Sequence, residues 1–147
     1  MKHQPTVLLV EDENTDAFLM ARAFQKAKLN SKLVRVNDGD RAVSYLGGEE
    51  PYGDRTMYPV PAILLLDIKL PKRSGFEVIE WVRKQNNTLR RMPVVMYSSS
   101  DLTTDVNRAY ELGANGYLHK PKTIQELIEM VALFEEYWFR RSETPEV

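Results

Sequence analysis

Five times along this chain a short apolar run gives way to a polar turn and then to a segment whose apolar residues recur at helical spacing. The runs are TVLLV (Thr6–Val10), KLVRV (Lys32–Val36), AILLL (Ala62–Leu66), PVVMY (Pro93–Tyr97) and GYLHK (Gly116–Lys120). The first and third are nearly continuous in apolar residues, as strands buried on both faces are, whereas the second alternates like an edge strand. Between them, Ala17, Met20, Ala21 and Phe24 mark one helix, and Ala42, Val43 and Leu46 a second that Asp38 can cap. Val78, Ile79 and Val82 mark a third helix starting near Ser74, and Val106, Ala109 and Tyr110 a fourth that Gly113 ends. Ile124, Leu127, Ile128, Val131 and Trp138 place a long last helix, after which SETPEV reads as a frayed tail. Gly47–Pro61 is a loop dense in glycine and proline. Strand and helix in strict alternation predict a parallel sheet with helices on both faces, and right-handed crossovers make it a doubly wound α/β fold.

A length of 147 residues fits one domain with a core large enough to fold unaided. A net charge of -1 gives no reason to expect nucleic acid or an anionic membrane as partner. The chain has no cysteine, so disulfides, thiolate metal sites and cysteine nucleophiles are excluded. No apolar run approaches membrane-spanning length, and MKHQPT lacks a signal-peptide core. The expected location is the cytoplasm.

Folds of this class bind ligands beyond the carboxyl ends of their strands. Glu11 and Asp12 follow the first strand, Asp67 follows the third, Ser98 the fourth, and Lys120 ends the fifth. The fold therefore gathers three carboxylates, a hydroxyl and an amine at one crevice. The carboxylates repel one another, and the candidates to neutralise them are Lys120 and a divalent cation. Oxygen ligands without cysteine or a nearby histidine favour Mg²⁺ or a similarly hard ion. Ordinary roles compete at each position: Asp12 can cap the first helix, Ser98 or Ser99 the fourth, and Lys120 can be a surface lysine before Pro121.

The segments LLVEDE, LLLDIKLPKRSGFEVI, PVVMYSSS and GANGYLHKP, in this order and spacing, resemble the signature segments of response-regulator receiver domains over about Thr6 to Tyr137. The resemblance implies a flavodoxin-like, five-stranded parallel sheet in the order 2-1-3-4-5 with five helices. It implies that Asp67 accepts a phosphoryl group from a histidine kinase. Glu11, Asp12, Asp67 and the backbone carbonyl of Lys69 would hold Mg²⁺, with Asp12 a more direct ligand than Glu11. Ser98 corresponds to the switch hydroxyl, Tyr117 to the switch aromatic and Lys120 to the family's lysine. Tyr117 can equally be a static, half-buried tyrosine. Two positions depart from common patterns: Lys69, two residues after Asp67, and Ser100, two after Ser98. By resemblance they govern water's access to the phosphoryl group. Lys69 either steadies its charge or points into solvent.

The long loop Gly47–Pro61 and the ending LFEEYWFRRSETP resemble the small stand-alone regulators that partner bacterial phytochromes and related sensor kinases. Residues 1–147 are thus expected to be one receiver domain, core about 6–138, with no output domain and no DNA binding. A homodimer through the last helix, or through the surface of the fourth helix and fifth strand, is a further expectation. Trp138 either takes part in that contact or folds back on its own core. His3 and His119 read as incidental. One rival is a Mg²⁺-dependent phosphohydrolase, which would want an acid where Lys69 stands. The other is a receiver-like interaction module that is never phosphorylated.

Overall fold

A computed structural model describes residues 4–147; His3 lies outside the described residues. The strands are β1 (Thr6–Val10), β2 (Lys32–Val36), β3 (Ile63–Leu66), β4 (Val94–Ser98) and β5 (Gly116–His119). The helices are α1 (Asn14–Lys26), α2 (Gly39–Gly47), α3 (Gly75–Arg83), α4 (Thr103–Glu111) and α5 (Ile124–Glu135). All neighbouring strands pair in parallel, in the order β2-β1-β3-β4-β5. Among the described residues, no helix is long and apolar enough to cross a membrane.

The continuous apolar runs make sense in this sheet, because every residue of β1, β3 and β4 is buried. Alternate side chains divide between two cores. Val7, Leu9, Ile63, Leu65, Val95 and Tyr97 meet α1 and α5 on one face. Leu8, Val10, Leu64, Leu66, Val94 and Met96 meet α2 and α3 on the other, where α4 adds Ala109. The alternating run KLVRV is indeed an edge strand.

Helix starts follow local chemistry. The Asp38 carboxylate accepts from Arg41 N at 2.7 Å, and Ser74 and Glu77 form a reciprocal capping box at the start of α3. Where the chain differs from expectation, packing explains it. β4 begins after Pro93, which has no N–H to give the ladder, and ends on Ser98, whose carbonyl accepts from Lys120 N at 2.9 Å. On α1 the buried stripe is Ala17, Met20, Ala23 and Phe24, so that Ala21 is exposed. Tyr110 and Ile124 also face outward. The last helix changes to a π turn over Glu136–Arg141, which leaves Trp138 and Phe139 partly buried against the α1–α5 core.

The loop after α2 is a built unit. Tyr45, Tyr52 and Tyr58 cluster with ring centroids 5.1 to 6.0 Å apart. Arg55 donates to the carbonyls of Tyr45 at 2.8 Å and Leu46 at 2.9 Å, which satisfies the end of α2. The C-terminal residues do not fray as expected. The Glu146 carbonyl accepts from Arg91 Nη2 at 2.9 Å, and Val147 packs against the core. On α5 the buried Glu135 carboxylate accepts from Ser31 N at 2.9 Å and Asn30 N at 3.1 Å. This ties α5 to the α1–β2 turn.

Candidate functional site

The sheet itself positions the site. Glu11 N donates to Val36 O at 3.1 Å, Asp67 N to Val10 O at 3.2 Å and Lys120 N to Ser98 O at 2.9 Å. Glu11, Asp67 and Lys120 each stand one step beyond a strand and are still held by the ladder. The loop that follows Asp67 closes back on it. Gly75 N donates to Ile68 O at 2.8 Å, and a Cβ at position 75 would collide with the carbonyl oxygen of Asp67. Only glycine allows α3 to start this close to the acid.

Five expected residues meet at this edge. One carboxylate oxygen each from Glu11, Asp12 and Asp67 lies within 4.8 Å of the others. Glu11 and Asp67 are buried, and Asp12 is half-buried. The Lys120 ammonium sits 2.7 Å from Glu11 Oε1 and 2.9 Å from Asp67 Oδ2, above the Tyr97 ring at 5.7 Å. Ser98 is buried beside them at the end of β4. The ordinary roles do not hold: α1 and α4 have no side-chain cap, and Lys120 is largely buried in ion pairs.

A residue the sequence did not single out completes the cluster. Asp16, on the first turn of α1, accepts from Lys120 Nζ through Oδ2 at 2.9 Å. A further network joins Ser98 and Tyr117 through Ser100. Ser100 N donates to Ser98 Oγ at 3.1 Å, Tyr117 Oη donates to Ser100 O at 2.8 Å, and Ser100 Oγ donates to Asp105 Oδ2 at 2.6 Å. Lys69 is exposed, and among the described residues its side chain makes no ion pair. His119 is exposed beside Tyr117, with ring centroids 5.4 Å apart.

Electrostatics follow from burial. Burial is the largest influence on Glu11 and, with the Asp67 charge, pushes its carboxyl up to about 7 against the pull of Lys120. Burial alone would lower Lys120, but its bonds to Glu11, Asp16 and Asp67 outweigh that and raise it, so it stays cationic. Glu11 Oε1 is buried and, although close to Lys120, lacks an aligned hydrogen bond. Three converging carboxylate oxygens, one with spare acceptor capacity, fit a hard divalent cation.

Comparison with known proteins gives the family. The model of the response regulator receiver domain matches residues 7–132. The chain belongs to that family. Receivers are signalling proteins of two-component systems. This receiver is 37% identical to the probable methanogenesis regulatory protein FilR2 of Methanothrix harundinacea, over 95% of this chain and 86% of that one. It is 34% identical to the response regulator Rcp1 of Synechocystis, over 95% of this chain and 92% of the other. The Mn²⁺-bound form of Rcp1 superposes with a TM-score of 0.83, at 32% identity over 97% and 99% of the two chains. The phosphorylated cyanobacterial phytochrome response regulator RcpA gives 0.88, at 32% identity over 98% and 100%.

Glu11 gives this receiver a pH signature. Its folded carboxyl holds a proton up to about 7, above the open-chain value of 4.5. The metal-free fold therefore loses stability as pH rises between those values. As pH rises through about 7 the folded cluster gains a negative charge. Mg²⁺ affinity, measured by calorimetry, is expected to strengthen from about pH 6 to about pH 8, and Glu11→Gln is expected to flatten that rise. An equally steep rise in the variant would contradict the assignment.

Proposed function

We propose that this receiver accepts a phosphoryl group on Asp67 from a histidine kinase and thereby switches its interaction surface. The observation that carries the reading is the Asp67 carboxylate, held at the end of β3 inside the Glu11–Asp12–Asp67 cluster and 2.9 Å from the Lys120 ammonium. A carboxylate oxygen of Asp67 forms the new O–P bond while the N–P bond of a phosphohistidine breaks, and the electron pair leaves with the imidazole nitrogen. The residues suited to hold Mg²⁺ are Glu11, Asp12, Asp67 and, through its backbone carbonyl, Lys69. Bound there, Mg²⁺ would offset repulsion between Asp67 and the incoming phosphoryl oxygens. Lys120 supplies a second positive contact.

Ser98 is the hydroxyl that turns to the new phosphoryl group. Its Oγ now accepts from Ser100 N, so its own proton is free to donate. Moving Ser98 breaks that bond and disturbs Ser100, whose carbonyl holds the Tyr117 hydroxyl. Tyr117 is thereby a switch rather than a static tyrosine. A local charge becomes a change at the surface of α4 and β5.

RcpA, solved in a phosphorylated form, supports both the chemistry and a phytochrome-type sensor kinase as partner. A second copy is a further partner. Leu133 and Tyr137 on the last helix are 70% and 58% exposed. They line a groove of about 500 Å³ with Leu118, Met130, Phe134 and Trp138. Trp138 contributes to its own core and to the groove. The rest of the reading is a cytoplasmic signalling protein that turns over no substrate. A lysine, not a second carboxylic acid, stands two residues after Asp67, which speaks against a phosphohydrolase.

The test of the chemistry is intact mass after incubation with acetyl phosphate. A Mg²⁺-dependent gain of one phosphoryl group, lost in Asp67→Asn, is expected. An unmodified wild-type chain that also releases no phosphate would favour the interaction module instead. Sedimentation tests the dimer: Leu133→Glu should shift the wild-type species to monomer, and a monomeric wild type at high concentration would refute the contact.

A further inference from the structure

Lys120 is shared among three carboxylates that are not equivalent. Glu11 and Asp67 belong to the acidic triad. Asp16 does not. It reaches in from α1, its side chain 37% exposed, with Oδ2 2.9 Å from Nζ. An ammonium has three N–H donors; Asp16 and Asp67 take aligned hydrogen bonds from Nζ, and Glu11 Oε1 is an ion-pair contact at 2.7 Å. A cation or phosphoryl group among Glu11, Asp12 and Asp67 draws on the oxygens that now hold Lys120. Asp16 alone keeps its grip.

A small cavity makes that grip matter. About 90 Å³ of space lies between α1 and the β5–α5 loop, lined among others by Asp16, Leu19, Tyr97, Lys120 and Lys122. The cavity leaves space beside Lys120 for a lysine released from the triad. The Tyr97 ring, 5.7 Å from Nζ, attracts the ammonium but gives it no direction. Asp16 is the hydrogen-bond partner of Nζ that stands outside the triad.

We propose that Asp16 is a positioning residue for phosphoryl transfer: its carboxylate anchors the Lys120 ammonium at the pocket while the other two carboxylates are engaged. This rests on Asp67 being the phosphoacceptor. The role needs an acceptor atom at this place more than it needs a charge, and that separates it from a general effect on the pocket's field.

The experiment compares wild type, Asp16→Ala and Asp16→Asn with acetyl phosphate in saturating Mg²⁺, following adduct formation by intact mass. Position 16 lies on a partly exposed first turn where alanine suits a helix, so the variants retain the fold. Misplacing a catalytic contact predicts phosphorylation of Asp16→Ala slowed about tenfold, with Asp16→Asn, which keeps an acceptor oxygen, restoring the rate to within about threefold of wild type. An alanine variant as fast as wild type would overturn the proposal. So would equal slowing in both variants, since that is an effect of charge and not of position. If the wild type itself stays unmodified, the phosphoacceptor reading fails and this inference with it.

Discussion

The site depends on one ammonium group. Lys120 holds together carboxylates from the ends of β1 and β3 and from α1 that would otherwise repel one another in a largely buried crevice. Unpaired charge in such a place costs several kcal/mol per ion. The lysine lets the acids stay close enough to accept a cation, and the acids keep the lysine charged. Neither half of the arrangement is stable alone, which leaves the pocket ready for one more positive or negative partner.

The fold makes this arrangement possible through its parallel register. Val10, Leu66 and Met96 lie side by side across the sheet, so the residues after them emerge at one edge. Two buried cores fix the sheet from both faces, and the ladder bonds continue one residue past the strands. The groups that would face the phosphoryl site stand on this frame. The groups that would respond, Ser98, Ser100 and Tyr117, lie where β4 passes into the loop before α4. α4 buries little beyond Ala109, so this side of the molecule is the one with least holding it in place.

Much of this was legible in the sequence, because the strongest signals are local. Buried parallel strands read as apolar runs, and the acids at their ends stand out against them. Asp38 and Ser74 cap helices through neighbours three residues away. What the sequence hid depends on distant packing. Asp16 and Lys120 are 104 residues apart, and nothing near Asp16 marks it apart from other acids on a first helical turn. Glu135 reads as a solvated acid on the last helix, yet it satisfies the turn before β2. Ala21 and Ala23 are indistinguishable by residue type, and only the drift of the buried stripe on α1 tells them apart. The tail looks frayed because its anchor, Arg91, lies 55 residues away. Ser100 acts through its backbone groups as much as its hydroxyl, and no side-chain pattern reveals that.

The most direct test of the central claim is a crystal structure of the receiver grown with Mg²⁺ and beryllofluoride, a mimic of the phosphoryl group. The account predicts beryllium bonded to a carboxylate oxygen of Asp67, with Lys120 Nζ and Ser98 Oγ turned to its fluorines and Mg²⁺ between Asp12 and Asp67. Beryllofluoride bound elsewhere, or an Asp67 carboxylate still paired with Lys120 and otherwise free at saturating concentration, would contradict it.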